Sequence, residues 1–280
     1  MKKVVVHGAN REGRRFAMRA NFVFDIHAFV DRNADSMQGE FDGIPIYSKF
    51  SKIKDSDIDY IFVMCSDYDE VLNEYRSLKW ANPPPRIMSM RYGHQLEKQR
   101  QFCALANEIH RNNIPGSVAE LGVDNGDTAK YINLFFDNRM FYLFDTFHGF
   151  SKADIEHERL LKTMTESMAN RYDNSSSETD VLKKMFYPEL CVIKKGVFPN
   201  SLDGLEDVFA FVHIDCDLSK PIHDALEYFY PRLSIGGYIC VHDYFNPTFP
   251  GVRKTVRDFV SNIGINLIPV MGYNGLIISK

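Results

Sequence analysis

Two short stretches carry the residue types best suited to chemistry. His213-Ile214-Asp215-Cys216-Asp217 and Val241-His242-Asp243 each close an apolar run that reads as a buried strand. Three carboxylates and an imidazole at the ends of neighbouring strands would meet at one point of a sheet edge. Carboxylates packed that closely repel unless a cation or a shared proton intervenes. An oxygen-rich set suits Mg2+ or Mn2+ better than zinc. The same residues also serve as helix caps and solvated loop acids. His213, inside its strand, reads more readily as a satisfied buried histidine than as a reactive one.

A second set lies earlier. Val118-Ala119-Glu120-Leu121-Gly122-Val123-Asp124-Asn125-Gly126-Asp127-Thr128 reads as a strand, a glycine-bearing turn and a helix start. Glycines there let a ligand approach the backbone at a helix N-terminus, though such a pair also serves a purely structural turn. Asp145 follows about twenty residues later at the end of the next strand, where nucleotide-binding folds hold ribose hydroxyls. Capping a helix is its other reading. Near the start, Gly8-Ala9-Asn10-Arg11-Glu12-Gly13 resembles a dinucleotide fingerprint with Asn10 in place of the middle glycine, and Asp31 ends the following strand. A side chain at that glycine obstructs the approach of a pyrophosphate. This segment either binds a nucleotide or sugar nucleotide, or is an interaction or dimerisation module.

The elements that must position these residues follow an α/β rhythm. Val4 to Val6, Ile26 to Val30, Gly43 to Ile46 and Ile58 to Cys65 read as extended, with a helix over Arg14 to Ala20. That unit is expected to close near Trp80, before a stiff Asn82-Pro83-Pro84-Pro85 linker. A helix is expected from Leu96 to Asn112, ended by Pro115-Gly116. Five strands follow at 118–123, 140–145, 190–194, 208–215 and 238–243. A terminal hairpin over 266–270 and 275–278 turns at Met271-Gly272-Tyr273-Asn274. Asn174-Ser175-Ser176-Ser177 reads as a loop. The expected division is 1–82 for a small Rossmann-like βαβ domain, 83–116 for linker and helix, and 117–280 for a seven-stranded Rossmann-like domain.

Composition narrows the partners. In 280 residues, 33 Lys and Arg against 37 Asp and Glu leave a formal charge of −4, and 45% of residues are hydrophobic. That is an ordinary globular balance without the clustered cations that nucleic acid requires, so no nucleic-acid partner is expected. No apolar run reaches the length of a membrane span. The opening Met1-Lys2-Lys3-Val4-Val5-Val6 meets His7 and Arg11 too early for a signal peptide. Five cysteines without CxxC spacing suggest neither a disulfide framework nor a zinc ribbon. A soluble, cytoplasmic protein is expected, with a homodimer as the base-rate assembly.

Several separated motifs resemble one family. The run from Val118 to Phe150 with Leu143-Phe144-Asp145-Thr146-Phe147-His148-Gly149-Phe150 is similar to the macrocin-type sugar O-methyltransferases. So are Gly196-Val197-Phe198-Pro199-Asn200-Ser201-Leu202, His213 to Leu218, Leu226 to Leu233, Gly236-Gly237-Tyr238 and His242-Asp243-Tyr244. The resemblance covers roughly residues 88 to 280. The N-terminal segment resembles small Rossmann-type units at the front of polysaccharide-biosynthesis proteins. The family resemblance implies a class I methyltransferase fold and S-adenosylmethionine as cofactor. Carried over by position, Glu120, Gly122, Gly126, Thr128, Asp145 and Asp215 would bind the cofactor. Asp215, His242 and Asp243 would bind Mg2+ or Mn2+, and Asp217 would be the general base. His242 departs from the family pattern, which commonly has an Asp there, and an imidazole favours Mn2+.

The implied reaction moves a methyl group to a hydroxyl of a sugar or glycoside, either a surface-polysaccharide precursor or a secondary metabolite. Phe150 to Asp173 is long and charged enough for a substrate-covering lid. Tyr244 and Phe245 would wall the site, and His148 would reach substrate from the loop after Asp145. Two other classes compete. Asp215-Cys216-Asp217 is also a DxD, by which glycosyltransferases hold Mn2+ and a nucleotide sugar. A non-catalytic nucleotide-binding protein of two Rossmann-like halves is the other.

Overall fold

The computed structural model describes residues 1–37, 39–53, 57–65, 68–78, 80, 84–89, 94–164, 166–169, 177–270 and 275–280. The hairpin turn at 271–274, the loop at 174–176, linker residues Asn82 and Pro83, and positions 165 and 170–173 of the expected lid lie outside them. The chain divides into two compact units, Met1–Arg111 and Asn112–Lys280.

In the first unit, β1 (Lys2–His7), β2 (Phe24–Val30), β3 (Glu40–Phe41), β4 (Ile44–Tyr47), β5 (Tyr60–Val63) and β6 (Arg86–Ser89) form one sheet, in the order β3-β4-β2-β1-β5-β6. Among the described residues of this unit, only the β3–β4 pair is antiparallel. The helices are α1 (Arg11–Ala20), α2 (Tyr68–Arg76) and α3 (His94–Arg111). The sequence reading closes this unit near Trp80, but β6 adds a strand after Pro85, with Arg86 in register with Tyr60. Proline lacks an N–H for the ladder, so the strand begins where the prolines end. The helix expected between the domains also belongs here. Asn107 Oδ1 on α3 accepts from Phe22 N at 2.7 Å, and Arg100 pairs with Glu12 at 3.1 Å.

Asn10 shapes the strand-end crevice of this unit. Its Oδ1 accepts from Glu12 N and Gly13 N, each at 3.0 Å, capping α1, while its Nδ2 donates to Met64 O at the end of β5. Asp31 uses both carboxylate oxygens on backbone, accepting from Ala9 N at 2.8 Å and Asn33 N at 2.9 Å.

In the second unit, β7 (Ser117–Leu121), β8 (Phe141–Asp145), β9 (Cys191–Lys195), β10 (Phe209–Ile214), β11 (Leu233–Val241), β12 (Ile268–Val270) and β13 (Gly275–Ser279) form a sheet in the order β12-β13-β11-β10-β7-β8-β9. Strands β7 to β11 are parallel, and β13 runs antiparallel to both β11 and β12. This is the seven-stranded Rossmann-like arrangement with a C-terminal antiparallel hairpin that the sequence suggests. The helices are α4 (Ala129–Phe135), α5 (Lys152–Leu161), α6 (Glu166–Ala169), α7 (Glu178–Lys184), α8 (Ser219–Arg232) and α9 (Pro250–Ile263). Every residue of β10 is buried, as expected of a central parallel strand covered on both faces. Its face toward α8 and α9 packs Val212 and Ile214 with Phe229, Val252 and Val256. Phe144, Phe198, Phe209 and Phe229 form an aromatic cluster there with centroids 5.0 to 5.9 Å apart. Burying one such ring contributes about 1.5–3 kcal/mol.

Candidate active site at the strand ends

Strand order reverses between β7 and β10, and ligands of open α/β sheets bind beyond the strand ends at such a point. Gly122 sits there with φ +89°. A Cβ on it would lie 2.1 Å from the Asp215 carbonyl oxygen. The sequence reading gives this glycine to ligand approach, but what it admits is the neighbouring strand end. Gly126 (φ +79°) likewise makes room for α7, with Val181 Cγ1 at 3.1 Å from the added carbon. Thr128 holds the N-cap position of α4 without a side-chain cap bond.

Asp145 closes β8. Its Oδ2 accepts from Asp124 N at 2.8 Å and its Oδ1 from Phe147 N at 2.7 Å. A carboxylate has about four acceptor sites, so this half-buried group keeps capacity for a diol. Burial pushes the neighbouring Asp124 carboxyl up, and the charge of Asp145 adds to the rise.

Glu120 lies elsewhere than a cofactor surface. It is fully buried on β7, in register with His213 of β10, and its Oε1 is 2.8 Å from His213 Nδ1. The expectation that it lines a pocket gives way to a role inside the sheet. One oxygen of its carboxylate is engaged by that buried histidine.

Past β10 and β11 the acids converge. His242 Nδ1 is 2.8 Å from Asp215 Oδ1 and 3.2 Å from Asp243 Oδ2. One donor atom from each of these three residues falls within 4.8 Å of the others. The two separations from His242 lie close to the edge of an octahedron with bonds of about 2.1 Å, which is about 3 Å long. The residues therefore fit a divalent cation, with one nitrogen and two oxygens as donors. Asp217 stands outside this triad, though its carboxyl hydrogen-bonds to Asp243. Burial alone would raise the Asp243 carboxyl. Its hydrogen bonds with His242 and Asp217, and the charge of His242, outweigh that and hold it below the usual carboxylate range. The DxD reading thus loses its pairing of Asp215 with Asp217 in a single ligand set.

Asp124, Asp217 and Asp243 all adopt left-handed backbone, with φ of +47°, +61° and +58°. Such conformations cost non-glycine residues about 1–3 kcal/mol and collect at functional sites. Cys216, half-buried beside Asp217 and Asp215, has its thiol pushed well up by desolvation and by those charges, so it is not poised as a nucleophile. Tyr244 is 5% exposed and belongs to the core, while its neighbour Phe245, 45% exposed, faces outward. His148 is exposed on the loop that follows Asp145. Within the expected lid, α5 brings in two buried acids that sequence reasoning passed over, Asp154 and Glu158. In the sequence they look like ordinary surface acids of a charged helix.

A family model described as Macrocin-O-methyltransferase (TylF) matches residues 66–271, and another described as C2185-like, N-terminal, matches residues 1–80. A curated relative from Streptomyces olivaceus, 8-demethyl-8-(2,3-dimethoxy-alpha-L-rhamnosyl)-tetracenomycin-C 4'-O-methyltransferase, is 24% identical over 184 residues. The match takes in 59% of this chain and 65% of the relative. Among solved structures, the O-methyltransferase NovP superposes with a TM-score of 0.57 at 22% identity, covering 66% of this chain and 80% of NovP. CalS11, a calicheamicin methyltransferase, gives 0.53 at 19% identity, covering 67% and 80%. Both structural likenesses speak for the fold alone. With the family model spanning the strand ends just described, the chain belongs to the TylF macrocin-O-methyltransferase family.

Proposed function

We propose that the chain transfers a methyl group from S-adenosylmethionine to a sugar hydroxyl, with a divalent cation bound at Asp215, His242 and Asp243. The observation that carries this reading is the placement of Asp145, Asp215, Asp217, His242 and Asp243 at or just past the ends of three strands of one parallel sheet, β8, β10 and β11, with Asp215, His242 and Asp243 brought together. The family match over residues 66–271 and the O-methyltransferase activity of the tetracenomycin relative support the reaction class.

In this reading Asp145 binds the cofactor ribose, with Gly122, Gly126 and Thr128 bounding the turn beside it. A bound Mg2+ or Mn2+ supplies Lewis-acid stabilisation of the hydroxyl oxygen as it gains charge. The C–S bond of the sulfonium would break as the C–O bond forms, leaving a neutral thioether, and the hydroxyl proton would pass to Asp217 in its ionised state, after the proton it shares with Asp243 has left. In-line transfer requires the oxygen about 3–3.5 Å from the methyl carbon. Asp217 is 8% exposed, so the carboxylate works in a largely water-excluded position. A saccharide of a surface polysaccharide or its nucleotide-linked precursor is the proposed acceptor class.

The test is calorimetric titration of the metal-stripped chain with S-adenosylhomocysteine. One-to-one binding at micromolar affinity, weakened by Asp145→Ala, is expected, followed by methylation of sugar acceptors in the presence of Mg2+ or Mn2+. A folded chain that ignores S-adenosylhomocysteine overturns the reading.

A further inference from the structure

Glu158 is 3% exposed although it lies on α5, a helix of otherwise charged sequence. Its Oε1 accepts from Ser219 N at 2.5 Å and its Oε2 accepts from the Thr163 hydroxyl. Ser219 is the first residue of α8, and the residue in the N-cap position, Leu218, has no side chain able to cap. A carboxylate delivered from another helix therefore satisfies one of the amides that the first turn of α8 leaves without an intrahelical partner, where the helix dipole also favours negative charge. Gly251 of α9 makes the arrangement possible. A Cβ there would lie 2.1 Å from Ser219 Oγ and 3.1 Å from Glu158 Oε2.

The bridge from β10 to α8 is thus held at both ends. Asp215 N donates to Leu121 O at 2.8 Å, and Ser219 N donates to Glu158. Asp217 lies between these anchors in a left-handed conformation that a non-glycine residue keeps only when its surroundings impose it. The other end of α5 follows directly on the loop that opens at Asp145, with Ser151 as its cap.

We propose that Glu158 is a positioning residue that ties the segment following Asp145 to the turn presenting Asp217, and so sets the aim of the Asp217 carboxylate. What Asp217 does chemically rests on the methyl-transfer reading, whereas the tie itself does not.

Two variants separate reach from charge. Glu158→Gln keeps an oxygen on Ser219 N; Glu158→Asp keeps the charge but withdraws it by about one C–C bond, roughly 1.5 Å. Expected for the Asp variant is a kcat at least about tenfold lower, the scale of a misaligned catalytic group, with S-adenosylhomocysteine affinity within about twofold of wild type. The Gln variant should stay within about threefold of wild-type kcat. Hydrogen exchange of the amides at 217–220 should quicken in the Asp variant and not in the Gln variant. An Asp variant with wild-type exchange overturns the tie, and so does loss of turnover and cofactor affinity in equal measure in both variants. If the wild type neither binds S-adenosylhomocysteine nor methylates a sugar, the methyl-transfer reading fails, and the exchange measurement alone decides on Glu158.

Discussion

Glu120 and His213 meet across β7 and β10 with Oε1 2.8 Å from Nδ1, and neither side chain is exposed at all. An ionisable pair at the centre of a parallel sheet is costly to break from one side, because the survivor stays desolvated. Glu120→Ala should lower stability by about 3 kcal/mol or more, read as a shift in the urea midpoint. Wild-type stability in that variant would remove the pair from the stability of the sheet.

Gly122→Ala should be worse than a generic core substitution. The added methyl meets a backbone carbonyl, which has no rotamer to escape into, and φ +89° is itself strained for alanine. The expected cost is at least about 2 kcal/mol, with the β7–β10 strand ends forced apart. Thermal unfolding and S-adenosylhomocysteine titration of the variant would report both.

Asp217→Asn should leave cofactor binding intact and remove most turnover, since general-base assistance is typically worth about 10²–10⁴-fold. Near-normal kcat in this variant would take the proton-accepting role away from Asp217.

The nitrogen donor of His242 predicts metal preference. Mn2+ should bind more tightly than Mg2+ in calorimetric titration, and His242→Asp, an all-oxygen set, should narrow the difference. Equal preference in both proteins would place His242 outside the coordination sphere.

A pH dependence is expected from the other unit. Burial lowers the His7 imidazole from 6.5 to about 4, against a small opposing pull from Asp31. The unfolded chain therefore takes up a proton first as pH falls. The stabilisation is complete above 6.5 and drains away towards 4, by about 3 kcal/mol in all. The single tryptophan, Trp80, packs on Phe50 and donates to Tyr75 O at 2.7 Å, so its fluorescence follows this unit. Denaturant midpoints read from Trp80 should fall between pH 7 and pH 4.5, and His7→Gln should flatten the slope.

What the sequence disclosed follows physical lines. The central strands β1, β5 and β10 are largely apolar runs because parallel strands are buried on both faces, and that pattern survives without any alignment. The acids at 145, 215, 217 and 243 were visible because they interrupt such runs abruptly. Hidden were the contacts made across the fold. Nothing in residues 86–89 announces a sixth strand after three prolines, since its partner β5 is more than twenty residues away. Gly122 looked like a ligand glycine because spacing cannot distinguish a bound molecule from a neighbouring carbonyl. Glu120 looked like part of a pocket motif, and only the register of β7 against β10 brings His213 to its carboxylate. Glu158 had no signature, because a capping acid from another helix obeys no local spacing rule.

Asn10 has a further consequence for the N-terminal unit. The amides of Glu12 and Gly13 that would cradle a phosphate already serve its side chain. Any phosphate-bearing ligand would face a competitor on the same chain that never diffuses away. Its apparent dissociation constant would be multiplied by the inverse of the small fraction of time that the side chain swings clear. The unit has the strand order of a nucleotide-binding fold, with the first amides of α1 already bonded to its own Asn10.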